Sequence, residues 1–154
     1  MLQPAELKSD KKLTWSPGRG TDVWALIQAC TSGDLEAVRA LIAKDPSLAR
    51  AHYDYRKPLY FAVRENRIEV ARFLLEHDRN PMDLWVDDDP IAIARDRGYT
   101  EMEQLLTHAL DARFNASPKG EPAALALRDH DLQRLRELLD AQPELVAKGD
   151  KRSN

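Results

Sequence analysis

Residues 57–75 read KPLYFAVRENRIEVARFLL, a stretch in which two apolar helix patterns flank a polar turn. Pro58 suits the first position of a helix, where its missing N–H would have no intrahelical partner. Asn66 tolerates the left-handed conformation that ends a helix. On both sides of this turn, apolar residues recur at the spacing that gives a helix one buried face. The stretch therefore predicts a helix–turn–helix unit, with helices over 58–65 and 68–77.

The same unit recurs along the chain with a period of about 32 to 33 residues. Equivalent positions hold the same kind of residue in every unit: a helix-opening row, a small row, a turn row and an apolar row. In chain order these rows are Ala25, Pro58, Pro90 and Pro122; Ala29, Ala62, Ala94 and Ala126; Gly33, Asn66, Gly98 and His130; and Leu41, Leu74, Leu106 and Leu138. A period of this length predicts stacked helix pairs, each of which buries its apolar face against a neighbour.

Composition excludes several classes of function. The 154 residues carry a formal charge of -3, with basic and acidic residues interleaved, so no basic face is available for nucleic acid or an anionic membrane. No apolar run is long enough to span a membrane, and the N-terminus lacks the apolar segment of a secretory signal. The single cysteine cannot form an internal disulfide. We therefore expect a cytoplasmic domain.

The pattern resembles the ankyrin repeat family, whose motif reads approximately TPLHxAAxxGHxEVVxLLL. Residues 57–75 match this motif best, the stretches 24–42 and 89–106 match it well, and 121–139 match it least. The Thr and His of the TPLH box are missing from every unit, and so is the Gly-Ala-Asp stretch after the second helix. The resemblance therefore implies an ankyrin fold with irregular loops between its repeats.

These observations predict one all-α domain, an ankyrin-repeat solenoid of about four helix-turn-helix units over residues 21–147. Residues 1–20 are rich in charged and turn-forming residues and predict a flexible leader or linker, with at most a short helix near Pro4 to Lys8. Residues 148–154 are expected to form a tail that begins a further repeat. The expected units are 21–52, 53–84, 85–116 and 117–147.

The last predicted helix has an unusual outer face. A terminal repeat normally presents polar residues to solvent, but this helix carries Leu132, Leu135, Leu138 and Leu139. One interpretation is that the fourth unit is a cap whose outer face is made polar by Arg134, Arg136 and Glu137. The other is that the chain is a fragment or one module of a longer array, because the repeat register places the next helix-opening proline directly after Asn154. We favour the second interpretation.

Three features could carry chemistry, but each has a structural explanation. Asp87–Asp89 could bind a hard cation, yet Asp89 precedes Pro90 and can cap a helix there. Cys30 lies on a predicted buried helix face and is expected to be a core residue. The histidines have no metal-ligand spacing; they are His52, His77, His108 and His130. We therefore expect no enzyme activity, no cofactor, no metal and no small-molecule substrate.

The resemblance implies a non-catalytic module that binds a protein partner through loop tips and the concave face of the first helices. The partner-binding positions that it selects are Tyr53, Asp54, Arg56, Arg64, Glu65, Trp85, Val86, Asp88, Asp96 and Arg97, with Val23, Thr31 and Ser32 in the first unit. Exposed Tyr, Trp and Arg dominate interface energetics, although Tyr53 and Trp85 could instead fold over the next layer. The alternative function is an auxiliary or regulatory domain of a larger enzyme or transporter.

Overall fold

The computed structural model describes residues 2–78, 89–114 and 120–147, and within these ranges the chain is helical, with two isolated β-bridges and no strand. The all-α prediction is confirmed. The α-helices, in chain order, are α1 (Gly20–Ser32), α2 (Leu35–Lys44), α3 (Pro58–Arg64), α4 (Ile68–His77), α5 (Pro90–Asp96), α6 (Thr100–Phe114), α7 (Glu121–Arg128) and α8 (Leu132–Ala141). Short 3₁₀ helices cover Ala5–Lys8, Pro46–Arg50 and Pro143–Ala147.

Two compact bodies make up the chain, residues 1–103 and 104–154. In the first body the helix pairs stack in register: α1 packs on α3, α3 packs on α5, and α2 packs on α4. The row of small residues belongs to the helices that make these contacts, and its members Ala29 in α1, Ala62 in α3 and Ala94 in α5 are all buried. Because alanine adds little bulk, neighbouring helices can approach closely there, as the repeat register predicts.

The turn inside each helix pair has the predicted left-handed backbone. The φ angles are 85° at Gly33, 55° at Asn66, 70° at Gly98 and 57° at His130. In the first of these turns, the N–H groups of Gly33 and Asp34 both donate to the carbonyl of Ala29, which satisfies a carbonyl that the end of α1 leaves free. The row of equivalent turn residues therefore identifies four equivalent helix ends.

The N-terminal segment packs against the first helix pair. Its 3₁₀ helix Ala5–Lys8 contacts α1, and Leu7 is fully buried. A Cβ atom at Gly20 would lie 2.7 Å from the carbonyl oxygens of Glu6 and Ser9, so glycine is required at this close crossing. This packing differs from the flexible leader that the charged composition suggested, because one buried leucine and one glycine contact anchor the segment.

The second body contains most of α6, together with α7, α8 and the final 3₁₀ helix. Helices α7 and α8 pack on each other, and α8 packs on the 3₁₀ helix that follows it. Their buried side chains include Ala123, Ala126 and Leu145. No side chain of α8 is fully buried.

Candidate functional site

The loop before α3 forms a tight β-hairpin, which we call the finger (residues 53–56). Tyr53 and Arg56 exchange two backbone hydrogen bonds, each 3.0 Å between N and O. Between them, Asp54 and Tyr55 adopt φ angles of 51° and 60°. Two consecutive residues with positive φ define a type I′ turn, whose twist suits a two-residue hairpin. The loops were expected to be irregular; here the loop is a regular hairpin that forms without glycine.

This turn places an aromatic side chain at an unfavourable position. Tyr55 is bulky, and a bulky residue at positive φ stores strain because its Cβ crowds the backbone. Its side chain nevertheless projects outward and is 60% exposed. Strained residues of this kind concentrate at functional sites, and an exposed tyrosine at a loop tip is a typical anchor of protein interfaces.

The N-terminal segment supports the finger from behind. The backbone N–H of His52 donates to Oγ of the buried Ser16, at 2.9 Å. The ring of Trp15 lies 6.0 Å from the His52 ring and 6.2 Å from the Tyr53 ring, measured between centroids. The finger is therefore fixed at its base while its tip remains open to solvent.

Tyr53 itself is only partly accessible. Burial of its ring raises the pKa of its hydroxyl, and the negative charges of Glu6 and Asp54 raise that pKa further. A tyrosine hydroxyl is protonated at neutral pH with or without this shift, so it can donate as well as accept a hydrogen bond.

Beside the finger lies a cavity of about 320 Å³, which we call the finger groove. Finger and α3 side chains line it together: Tyr53, Asp54, Arg56, Tyr60, Phe61 and Arg64. The Tyr60 ring contacts two arginines of this lining, with the guanidinium carbon of Arg56 5.0 Å and that of Arg64 6.0 Å from the ring centroid. Phe61 meets Tyr60 edge to face, with 5.3 Å between their centroids. These cation–π and aromatic contacts give the groove a fixed shape.

Charges of both signs surround this aromatic centre. Arg56 forms an ion pair with Asp54, and Arg64 forms one with Glu65 at 2.9 Å. The two arginine side chains are 29% and 28% exposed, so each is held in place by its neighbours yet remains accessible. The groove can thus offer a partner aromatic surface, guanidinium donors and carboxylate acceptors within one small area.

Predicted site residues in the third unit divide into two groups. Arg97 Nη1 donates to the backbone carbonyl of Arg64 at 2.8 Å, and Asp96 is exposed at the end of α5. The residues Trp85, Val86 and Asp88 lie outside the described residues. Arg97 therefore lies next to the finger groove, and its guanidinium also links two successive helix pairs.

A second arginine makes the equivalent link one repeat earlier. Arg67 Nε donates to the backbone carbonyl of Thr31 at 3.0 Å. In the repeat register, Thr31 and Arg64 occupy the same position at the end of the first helix. Both arginines thus satisfy a carbonyl that the end of a helix leaves without an intrahelical donor.

In the first unit, the predicted surface residues serve the fold. Val23 is only 1% exposed, because it shares the inward face of α1 with Leu26 and Ile27; its selection as a contact residue was wrong. Thr31 and Ser32 donate their hydroxyls to carbonyls within α1, at 2.8 Å and 3.2 Å. The finger groove, which belongs to the second unit, is therefore the better candidate site.

Sequence reasoning missed three aromatic residues of this region: Trp15, Tyr55 and Tyr60. Tyr60 stands where the family motif has histidine, so its replacement by an aromatic residue beside two arginines was a usable signal. The role of Tyr55 depends on the hairpin, whose usual Asn-Gly or Asp-Gly signal is absent.

Two other residues that could have carried chemistry, Cys30 and Asp89, have structural roles. Cys30 is fully buried, and this burial raises the pKa of its thiol, which disfavours the reactive thiolate. Oδ1 of Asp89 accepts from the N–H of Ile91 at 3.0 Å, which confirms that Asp89 caps α5. Among the described residues, no three His, Cys, Asp or Glu side chains lie close enough together to hold a metal ion. Over the same parts of the chain, every helix is too short or too polar to cross a membrane.

Comparison with known proteins places the chain within a family. A model described as "Ankyrin repeats (3 copies)" matches residues 9–86, half of the chain. The chain is 37% identical over 90 residues to the "Probable E3 ubiquitin-protein ligase XBOS31" of Oryza sativa subsp. japonica; this match covers 56% of the chain and 20% of that protein. It is 29% identical over 137 residues to the mitochondrial "Glutaminase liver isoform" of Mus musculus, covering 87% of the chain and 23% of the glutaminase.

The chain thus spans about a fifth to a quarter of the length of these curated relatives. No solved structure matches it. The family match begins within the packed N-terminal segment and contains the helix pairs α1–α2 and α3–α4 with the finger between them. On this match and these helix pairs, the chain belongs to the ankyrin repeat family.

Proposed function

We propose that this chain is a non-catalytic module that binds a protein partner through the finger groove. Ankyrin repeats are protein-interaction domains, and the finger groove supplies a specific surface for that role. The observation that carries the proposal is Tyr55, a bulky residue held at positive φ and 60% exposed. It lies in the chain between Asp54 and Arg56, two residues that line the preformed cavity. An exposed tyrosine at a strained loop tip is the kind of residue that anchors protein interfaces.

The chemistry of the groove indicates the kind of partner segment that would fit. Tyr60 and its flanking arginines provide rigid aromatic surface at low entropic cost. The ion pairs of Arg56 and Arg64 fix the directions in which guanidinium donors can reach a partner carbonyl or carboxylate. The cavity is small, so a short segment with one apolar anchor and flanking polar groups would fill it.

The remaining predicted residues extend this proposal beyond the groove. Glu65, Asp96 and Arg97 continue the polar surface from the end of α3 to the end of α5. We include Trp85, Val86 and Asp88 on the basis of the family resemblance alone. Charged residues at such a rim would set the association rate and the partner choice more than the affinity.

Selection of peptides against the immobilised chain tests the proposal and requires no particular partner to be chosen beforehand. Peptides selected from a random display library would be synthesised, and their Kd values measured by calorimetry. We expect the double variant Tyr55→Ala, Arg64→Ala to bind at least about tenfold more weakly, because it loses one aromatic and one arginine anchor. The matched control is Arg72→Ala, Glu76→Ala, which removes two exposed side chains from α4.

Circular dichroism would confirm that both double variants remain folded. Unchanged peptide affinity of a folded Tyr55→Ala, Arg64→Ala variant would contradict the finger groove as the binding site. Equal losses in both double variants would contradict it as well, because the control residues lie outside the groove.

A second candidate function is an auxiliary or regulatory domain of a larger enzyme. The sizes of the relatives favour it: a probable E3 ubiquitin-protein ligase and a glutaminase share this region as about a fifth to a quarter of their length. In such a protein, the finger groove would hold a substrate protein or another part of the same assembly. Sequencing of the full-length product captured from cells with an antibody raised against the chain would distinguish the two, since a catalytic domain joined to the chain is expected only for the larger enzyme.

A further inference from the structure

Residues 12–19 form a closed loop beside the finger, which we call the N-terminal loop. Its ends pair through an antiparallel bridge between Lys12 and Arg19. Inside this bridge, the N–H of Leu13 donates to the carbonyl of Gly18 at 3.1 Å. Arg19 Nη1 also donates to the backbone carbonyl of Asp10, at 2.7 Å. The loop is therefore closed by its own backbone hydrogen bonds and tied to the segment that precedes it.

The N-terminal loop lies directly against the part of the chain that leads into the finger. Gly18 has a φ of 94°, and a Cβ atom at this position would collide with the side chain of Leu48. Leu48 is fully buried within the 3₁₀ helix Pro46–Arg50, which ends shortly before the finger begins. This close approach requires glycine and fixes the distance between the loop and the base of the finger.

Ser16 joins the two loops by a hydrogen bond between residues far apart in the sequence. Its side chain is buried, and its hydroxyl donates to the carbonyl of Pro17 at 3.2 Å. The oxygen accepts the backbone N–H of His52 at 2.9 Å. His52 directly precedes Tyr53, the first residue of the finger, and the ring of Trp15 packs against both of their rings. Ser16 thus holds the backbone of the finger base, and Trp15 holds its side chains.

The finger itself has little that would keep it in shape without such support. One bridge, between Tyr53 and Arg56, closes it. Its two central residues, Asp54 and Tyr55, both have positive φ angles without being glycine. Even a longer two-stranded hairpin is at best marginally stable in water when it is isolated. The conformation of the finger therefore depends on contacts with residues outside it.

We infer that Ser16 and Trp15 are positioning residues, which hold the finger in the conformation that binds a partner. The inference rests on the proposed function, because it extends the binding site to a segment outside the second unit. Ser16 is only 6% exposed, so it acts on binding through the N–H of His52 and the finger. When only a fraction of molecules has the competent conformation, the apparent affinity falls in proportion to that fraction.

Amide hydrogen exchange of the full chain, followed by NMR, tests the positioning without any partner. In Ser16→Ala, the amides of His52, Tyr53 and Arg56 should exchange at least about tenfold faster, because the finger loses the acceptor that holds its base. The amides of α1 and α3 should keep their original rates. Ser16→Thr retains the hydroxyl oxygen and should restore slow exchange in the finger.

Ser32→Ala is the matched control for this experiment. The Ser32 hydroxyl also donates to a backbone carbonyl, that of Ala29, but it lies at the opposite end of α1 from the N-terminal loop. Its removal should leave the exchange of the finger amides unchanged. A similar acceleration in Ser32→Ala and Ser16→Ala would contradict a specific role of Ser16.

Peptide affinity measures the consequence for binding. Ser16→Ala should weaken peptides that bind the finger groove by at least about threefold, and by the same factor for peptides of unrelated sequence, because it lowers the fraction of competent molecules. Trp15→Ala should act in the same direction, whereas Trp15→Phe keeps an aromatic ring and should act less. Trp15 is 40% exposed and could contact a partner itself, so the buried Ser16 decides between positioning and contact.

Three results would overturn the inference: finger amides of Ser16→Ala that exchange at the original rate, amides of α1 that accelerate equally, or faster finger exchange with unchanged peptide affinity. The Tyr55→Ala, Arg64→Ala variant judges the groove separately. If that double variant binds peptides normally while Ser16→Ala accelerates exchange in the finger alone, the proposed function fails and the positioning of the finger by Ser16 is retained.

Discussion

The ammonium group of Lys57 lies 3.0 Å from Oδ2 of Asp78, with the two side chains only 12% and 4% exposed. Lys57 directly precedes α3 and Asp78 directly follows α4, so this buried ion pair joins the two ends of one helix pair. Lys57 stands where the family motif has threonine. The second unit thus replaces the hydrogen bonds of that box with a buried charge pair.

The first unit joins the same two helix ends with the charges reversed. Asp22 near the start of α1 accepts two hydrogen bonds from Lys44 at the end of α2, at 2.9 Å and 3.0 Å. That orientation suits the helix dipole, but the lysine side chain is 63% exposed. Both units therefore have an ion pair between these helix ends, and the pairs differ in how deeply they are buried. We expect this difference in burial to decide how much each pair matters for stability.

Removal of Asp78 should destabilise the protein far more than removal of Lys44. We expect Asp78→Ala to cost about 3 kcal/mol of unfolding free energy, because it leaves the Lys57 ammonium buried without the Asp78 carboxylate. Lys44→Ala should cost under about 1 kcal/mol, since exposed ion pairs contribute little. Urea denaturation measures both. The double variant Lys57→Met, Asp78→Leu should recover part of the loss, and equal costs for Asp78→Ala and Lys44→Ala would contradict this assignment.

The arginine links between successive helix pairs should also contribute to stability. Arg67→Ala and Arg97→Ala each remove one hydrogen bond to a helix-end carbonyl, and each should lower the unfolding free energy by about 0.5 to 1 kcal/mol. The two changes should be additive, because the accepting carbonyls belong to different repeats. Arg72→Ala is the control, since that exposed arginine makes only a weak i,i+3 pair on α4. Thermal melts in which all three variants coincide would show that these links contribute nothing.

Glycine at the helix–helix turns should stabilise the two units that lack it. At φ near 55° asparagine is tolerated, whereas the left-handed backbone conformation costs histidine more free energy. His130→Gly should therefore gain roughly 0.5 to 1 kcal/mol, and Asn66→Gly less. The reverse change Gly98→Ala should be destabilising by about 1 kcal/mol at its φ of 70°, with no side-chain clash to complicate it. A loss of stability in His130→Gly would contradict the explanation.

Most of the fold could be predicted from the sequence, because the repeat spacing and the helix periodicity are local patterns and each pattern occurs several times along the chain. Pro58, the Asn66 turn and the end of α4 at His77 lie where the pattern of residues 57–75 predicts them. The N-terminal segment could not be predicted in this way. Its anchors are Leu7 and the close crossing at Gly20, and both depend on contacts that carry no periodic signal.

The candidate site was predictable in part. Four residues that line the finger groove were predicted as partner-binding residues from their positions in the ankyrin repeat: Tyr53, Asp54, Arg56 and Arg64. It did not select Tyr55, because nothing in the sequence signals a type I′ turn made without glycine. Prediction from position in the repeat was wrong for Val23, because Val23 lies on the inward face of α1 and is buried there.

Cys30 offers a probe of the stability of the first unit. Its side chain is fully buried, and burial raises its pKa, so the native thiol has neither access nor thiolate character. Alkylation by iodoacetamide in buffer should be on the order of a thousandfold slower than in urea, because it requires opening of the helix pair. Addition of Asp78→Ala should accelerate it if that opening involves the second unit as well. Labelling of the native protein at the rate of a free thiol would show that the packing around α1 is not maintained in solution.

Tyr55 should show opposite effects on stability and on binding. Tyr55→Gly removes a bulky side chain from a φ of 60°, and we expect it to stabilise the chain by about 1 kcal/mol. The same change removes the exposed anchor of the finger and should weaken selected peptides at least about tenfold. Tyr55→Phe is the control, because it keeps both the ring and the strain and should change affinity less. A Tyr55→Gly variant that is less stable than the original chain would mean that the tyrosine is retained for packing. Greater stability with unchanged peptide affinity would mean that the strain in the finger is unrelated to partner binding.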